Sequence, residues 1–177
     1  MGVSSLVKPT GGIACSGANI VGFIDWTLRR ICRPGGPPEV QVFDGHHRDH
    51  GLAYQSLVFP NGMIGDLYGP AFGRRHGACL LEKSKLNDRL PRVQENNPIQ
   101  YKVYGDAAYP TTSHADRGFR GANLTAAQRA YNRALSRVRV CVGWMFGKIV
   151  SEHSFVDFKQ NIKILKQPVA IPAYTAA

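Results

Sequence analysis

NIVGFID, residues 19–25, is a short apolar run that ends in a carboxylate, and its reading decides the fold. A run this short, bounded by a charge, reads as a buried strand rather than a helix. IQYKVYGDAAYP, residues 99–110, repeats the pattern: a further strand is expected, ending at Gly105 and Asp106. Between the two lie RPGGPPE (33–39), expected to be loop because Pro and Gly break both element types, and a hairpin. The hairpin is read from GLAYQSLVF (51–59) and GMIGDLYG (62–69), which flank a turn at Pro60, Asn61 and Gly62. GPAFGRRHGACLLEKSKLNDRL then passes from Gly-rich loop into an amphipathic helix expected near residues 76–86.

The last strong element begins at Thr125 and runs to about Val150. Thr125 followed three residues on by Gln128 forms a capping box that opens a helix, which explains Asn123-Leu124-Thr125 better than a glycosylation sequon does. Tyr131, Leu135, Val138, Val142, Met145 and Ile149 recur at three- and four-residue steps and predict its buried face. Strand with Asp, hairpin, helix, strand with Asp and long basic helix together point to an α/β domain rather than a bundle.

A chain of 177 residues with 44% hydrophobic content can bury one core. Lys and Arg total 22 against 12 Asp and Glu, a net charge of +10, which favours an anionic partner such as nucleic acid or a membrane surface. The four cysteines, Cys15, Cys32, Cys79 and Cys141, are isolated and read as reduced, intracellular thiols without zinc-finger spacing. The start carries no signal-peptide run, and no stretch of about 18 apolar residues occurs, so no membrane span is expected.

Asp25 and Asp106 each stand where an apolar strand is expected to end. If those strands are neighbours, the two residues lie about 5 Å apart and could share a divalent cation. The bland alternative, that each carboxylate caps a turn or an oncoming helix, is the commoner use of a strand-end Asp. Spacing alone leaves both open.

GFIDWTLRRICRPGGPPEVQ, YQSLVFPNGMIGDLYGPAFGRRHG, YGDAAYP and FRGANLTAAQRAYNRALSRVRVCVGWMFGK resemble, in order and spacing, the catalytic domain of DDE-superfamily endonucleases of the PIF/Harbinger transposase type. The resemblance spans residues 19–166. It implies an RNase H-like fold with a mixed central sheet flanked by helices, and acidic residues that gather two Mg²⁺ or Mn²⁺ ions for DNA phosphodiester cleavage and strand transfer. Residues 1–18 are expected to be a disordered segment and 167–177 a tail, with the domain trimmed at both ends relative to the family. The resemblance also implies a nuclear or otherwise intracellular location and DNA as partner, with site recognition supplied either by additional N-terminal sequence or by a separate DNA-reading protein.

Carried over residue by residue, the first-strand Asp is Asp25 and the Asp of Gly-Asp-x-x-Tyr-Pro is Asp106. The acid that follows Gly-Arg-Arg-His falls on Gly77, and the helix Glu falls on Gly143. Each loss needs one A-to-G base change. Trp26 is a third departure, since the family has Gly beside the first Asp. Glu152 lies about 13 Å beyond Gly143 by helical rise and cannot substitute; Asp66 is expected to face solvent or pair with an Arg. Asp25 and Asp106 could still hold one ion weakly with waters and phosphate, but a two-metal mechanism is not expected.

Arg117, Arg120, Arg129, Arg133, Arg137, Arg139 and Lys148 form a cluster without an acidic residue among them. Arg129, Arg133 and Arg137 share a helix face, and the self-repulsion of such a stripe favours phosphate contact over a merely solvated surface. Arg74, Arg75 and His76 follow a Gly-rich turn at a helix start, where an anion binds readily, although plain helix capping explains them equally well. HHRDH (46–50) sets His46 and His50 at a metal-like spacing, although a loop His cluster without Cys is more often solvated or phosphate-facing. Three readings follow: an impaired DDE nuclease domain, a non-catalytic DNA- or protein-binding module, or a decaying element fragment.

Overall fold

The computed structural model describes residues 19–74, 77–94 and 101–153. Arg75, His76, Ile99, the 1–18 segment and the 167–177 tail therefore lie outside the described residues. The elements in order are β1 (Asn19–Arg30), α1 (Pro38–Val42), β2 (Phe43–Asp44), β3 (Asp49–Val58), β4 (Ile64–Phe72), α2 (Gly77–Lys83), α3 (Leu86–Gln94), β5 (Tyr101–Gly105), β6 (Ala115–Arg117) and α4 (Ala126–Glu152).

Six strands form one mixed sheet in the order β2-β3-β1-β5-β6, with β4 also paired to β3. β1 runs antiparallel to β3 and parallel to β5, so it is an interior strand. That position explains the unbroken apolar run of its first half, because an interior strand covered on both faces reads as continuous hydrophobic sequence. Phe23 joins the core under α4 with Val142, Phe146 and Ile149, while Ile24 joins the core on the other face with Leu81, Leu86 and Tyr109. The next residue on the α4 face is Asp25.

β1 does not stop at Asp25. Trp26 to Arg30 pair in register with β3, from Trp26 opposite Gln55 to Arg30 opposite Gly51. The expectation of a strand-end Asp is corrected here: tertiary pairing with the long hairpin strand overrides the local signal, and Asp25 is held in mid-strand opposite Ser56.

The hairpin forms as read. Gly62 takes φ +84, Asn61 Oδ1 accepts from the Met63 N–H at 3.0 Å, and β3 and β4 pair antiparallel. The Gly-rich stretch after it is strand rather than loop as far as Phe72, since Ala71 and Phe72 pair with Ala53 and Leu52. The expected single helix is two, α2 and α3, separated at Lys85 with φ 53. The loop reading of RPGGPPE holds up to Pro38, which opens the short α1, as suits a ring whose φ is already helical.

The capping box at Thr125 is present on both sides: Gln128 N–H donates to Thr125 Oγ1 at 3.2 Å, and Thr125 N–H donates to Gln128 Oε1 at 2.9 Å. The buried face of α4 is Leu135, Val142, Phe146 and Ile149, with Tyr131 and Met145 against it. Val138 is 38% exposed and leaves that face, corrected by Phe146. No helix among the described residues is long and apolar enough to cross a membrane.

Candidate functional site

The parallel register of β1 and β5 pairs Phe23 with Tyr104, and two residues further along each chain stand Asp25 and Asp106. The sheet thus brings the two sequence-predicted carboxylates to one place. Asp106 follows β5 in a turn: its Oδ1 accepts from the Ala108 N–H at 2.9 Å, and its carbonyl accepts from the Tyr109 N–H at 3.1 Å. Asp25 Oδ1 accepts from the Trp26 N–H at 2.9 Å. Its other oxygen, Oδ2, takes the guanidinium of Arg139, reaching across from α4.

That ion pair is the centre of the site. Asp25 and Arg139 side chains retain only 20% and 27% exposure, so their attraction is little screened. Burial pushes the Asp25 carboxyl above its ordinary value of 3.8; Arg139 and the Trp26 N–H pull it down, Asp106 pushes it up again, and the balance stays upward.

Behind the carboxylates lies a buried polar chain. Tyr109, with no exposure, reaches Gln55 Oε1 through its hydroxyl at 3.4 Å. Gln55 Nε2 donates to Ser84 Oγ at 3.1 Å, and Ser84 Oγ donates to the Leu81 carbonyl at 3.0 Å. Burial first, then Asp25 and Asp106, raise the Tyr109 phenol well above its ordinary range, so it stays a neutral donor. Sequence reasoning missed this chain, because Gln55 and Ser84 carry no motif and meet only through the sheet and the α2–α3 break.

Gly77 and Gly143 occupy unlike surroundings. A Cβ at Gly77 would stand 3.1 Å from Tyr109 Cζ, 3.2 Å from Tyr109 Cε2 and 3.4 Å from Trp26 Cδ1. The Trp26 indole closes the corner on the α2 side. A Cβ at Gly143 would meet nothing within 4 Å. Asp66 is engaged elsewhere, accepting from Arg89 Nη2 at 2.6 Å, as expected. Glu152 pairs with Lys148 at 3.5 Å.

The donor set does not fit a divalent-metal centre. Asp25 has one oxygen committed to Arg139, two of the four expected acids are glycine, and among the described residues no group of three or more His, Cys, Asp or Glu could hold a metal ion. HHRDH also turns to local partners. His47 Nδ1 meets Asp44 Oδ2 at 2.6 Å, His50 Nε2 lies 3.9 Å from Glu39, and the His46 and His47 rings stack edge-on at 5.1 Å. Burial opposes the Asp44 charge, but the His47 ring and the His46 N–H outweigh it and hold the carboxyl below its ordinary value.

The proposed phosphate contacts divide. Arg129, Arg133 and Arg137 are exposed on α4, as a phosphate-binding stripe requires. Arg139, grouped with them from sequence, turns inward to Asp25. Its spacing, one helical turn before Gly143, was the available signal, since residues four apart share a face. Arg74 is exposed beside a cleft of about 580 Å³ lined also by Arg33, Glu39, Phe43 and His50.

The family model for DDE superfamily endonucleases matches residues 24–175 of this chain. No curated protein and no solved structure matches it. The chain belongs to the DDE superfamily endonuclease family.

Proposed function

We propose that this chain is a transposase-derived DDE domain of the PIF/Harbinger type that holds DNA and does not cut it. Enzymes of the family act on DNA and are generally divalent-metal dependent. In the two-metal scheme one cation activates the nucleophile and a second stabilises the leaving oxygen. The observation that carries the reading is the Asp25–Arg139 ion pair. A guanidinium neutralises the carboxylate without offering the open coordination positions that activate water, and Gly77 and Gly143 supply no replacement acid.

What remains is a rigid sheet and a basic helix. Arg129, Arg133 and Arg137, joined by Arg74 and the weakly paired Lys148, give phosphate contacts whose affinity falls steeply as salt rises, because binding releases condensed counterions. Such contacts position DNA without reading its sequence, so target choice falls to a separate DNA-reading protein. In this reading the chain acts on DNA, in the nucleus or otherwise inside the cell.

The test is plasmid nicking in Mg²⁺ and in Mn²⁺ by this chain beside the Gly77→Asp, Gly143→Glu double variant. No nicking by the parent is the expected result. Metal-dependent nicking by the parent that Asp25→Ala or Asp106→Ala abolishes overturns the reading.

A further inference from the structure

We propose that the outer face of α4 is a binding surface for single-stranded nucleic acid, with the indole of Trp144 as a stacking platform for an unpaired base. The proposal rests on the phosphate-holding reading above and adds the strand state of the ligand. Arg133, Arg137, Val140, Trp144 and Lys148 recur at three- and four-residue steps along α4, which puts them on one stripe. That stripe lies opposite Leu135, Val142, Phe146 and Ile149, the residues α4 buries against the sheet. It therefore also faces away from Asp25.

Trp144 is 73% exposed, more than any other large hydrophobic side chain among the described residues, and Val140 beside it is 44% exposed. A tryptophan placed so openly gains nothing for the fold. Its neighbour one turn on is Gly147, where a Cβ would meet nothing within 4 Å, and Gly143 before it is equally open. Two bare positions leave the indole uncovered, with Lys148 one turn on and Arg137 two turns back along the same stripe. Stacking on an aromatic ring between cations is how proteins hold single strands without sequence preference, since every base has a π-face. A duplex buries those faces inside its own stack and can use only the cations.

Charge decides between occupants. α4 carries Arg129, Arg133, Arg137, Arg139 and Lys148 against one carboxylate, Glu152. A second copy docking through the same face would set cation against cation. Residues 154–177, with Lys159, Lys163 and Lys166 against Asp157, complement the stripe no better. A polyanion does.

The experiment titrates the full chain at low salt with labelled oligo-dT and with a duplex hairpin of equal charge, and follows tryptophan emission. Indole quenching by oligo-dT and not by the hairpin is expected. Trp144→Ala should weaken oligo-dT binding about fivefold or more, the scale of one lost base stack, and change duplex binding by less than about twofold. Trp144→Phe should retain most single-strand affinity, and both variants should melt with the parent because the side chain is exposed. Arg133→Glu with Arg137→Glu should weaken both ligands. If Trp144→Ala leaves oligo-dT binding unchanged, or lowers both ligands equally, the stacking surface is overturned. The same holds if it only abolishes self-association in sedimentation, which would make the face a protein contact. If the arginine pair has no effect on either ligand, the phosphate-holding reading falls instead.

Discussion

Gly77 and Gly143 stand where the family resemblance places two acids, yet one is sealed and the other open. Around Gly77 the Tyr109 ring and the Trp26 indole have closed to within 3.4 Å of where a side chain would begin. Around Gly143 there is only solvent. The contrast teaches how differently the fold treats two bare positions. In the packed corner the neighbours occupy the volume a side chain would need; on the exposed helix nothing stands in its way.

The largest effect is expected at the sealed position. Gly77→Asp should destabilise by about 3 kcal/mol, because overpacking a filled core costs about 1–3 kcal/mol and a carboxylate buried without a partner adds to it. Gly77→Ala isolates the steric part and should cost about 1 kcal/mol by the same overpacking argument. Urea melts of both variants measure the difference. Equal stability of Gly77→Asp and the parent would show that the Tyr109–Trp26 corner yields freely, and the contrast with Gly143 would dissolve.

Next comes the Asp25–Arg139 pair. Arg139→Met should cost about 2 kcal/mol, below the 3–5 kcal/mol seen when a fully buried pair loses one partner, because both side chains keep some solvent. It should also raise the Asp25 pKa further, since the pull of Arg139 is removed. The native fold already holds a proton on Asp25 more tightly than an unfolded chain does. This group therefore costs stability as pH rises from 3.8 through its folded value. In Arg139→Met that loss should be larger and extend to higher pH, and adding Asp25→Asn should remove most of it. Carboxyl titration by NMR and melting curves across pH read both effects; an unchanged Asp25 titration would mean the ion pair does not persist in solution.

The smallest effect is expected at the open position. Gly143→Ala should stabilise by up to about 1 kcal/mol, the propensity difference between the two residues in a helix interior. Gly143→Glu should do nearly as well, with a few tenths of a kcal/mol depending on whether the new carboxylate draws Arg139 one turn away. A higher melting temperature for both checks this. Destabilisation would place position 143 in a packed contact and make the two glycines alike.

The helix α4, its Thr125–Gln128 cap, the hairpin turn at Asn61-Gly62 and the apolar start of β1 were all legible in sequence, because each is written in local periodicity or turn chemistry. Asp25 and Asp106 were singled out by their motifs, and the sheet sets their strands side by side. The inward turn of Arg139 was missed: its spacing before Gly143 gave the helix face it stands on, but not the carboxylate, far away in the chain, that the fold brings against it.

The sequence by itself determined the class of fold, the membership of the motifs and the glycines at positions 77 and 143, for those are matters of residue identity and short-range pattern. Only the tertiary structure decided that β1 runs on past Asp25, that Tyr109 and Trp26 close over Gly77, and that Asp25 already has a cation. The reason is physical: strand length is set by the partner that offers hydrogen bonds, the room at a glycine by side chains from distant segments, and the state of a buried carboxylate by whichever charge the fold brings against it.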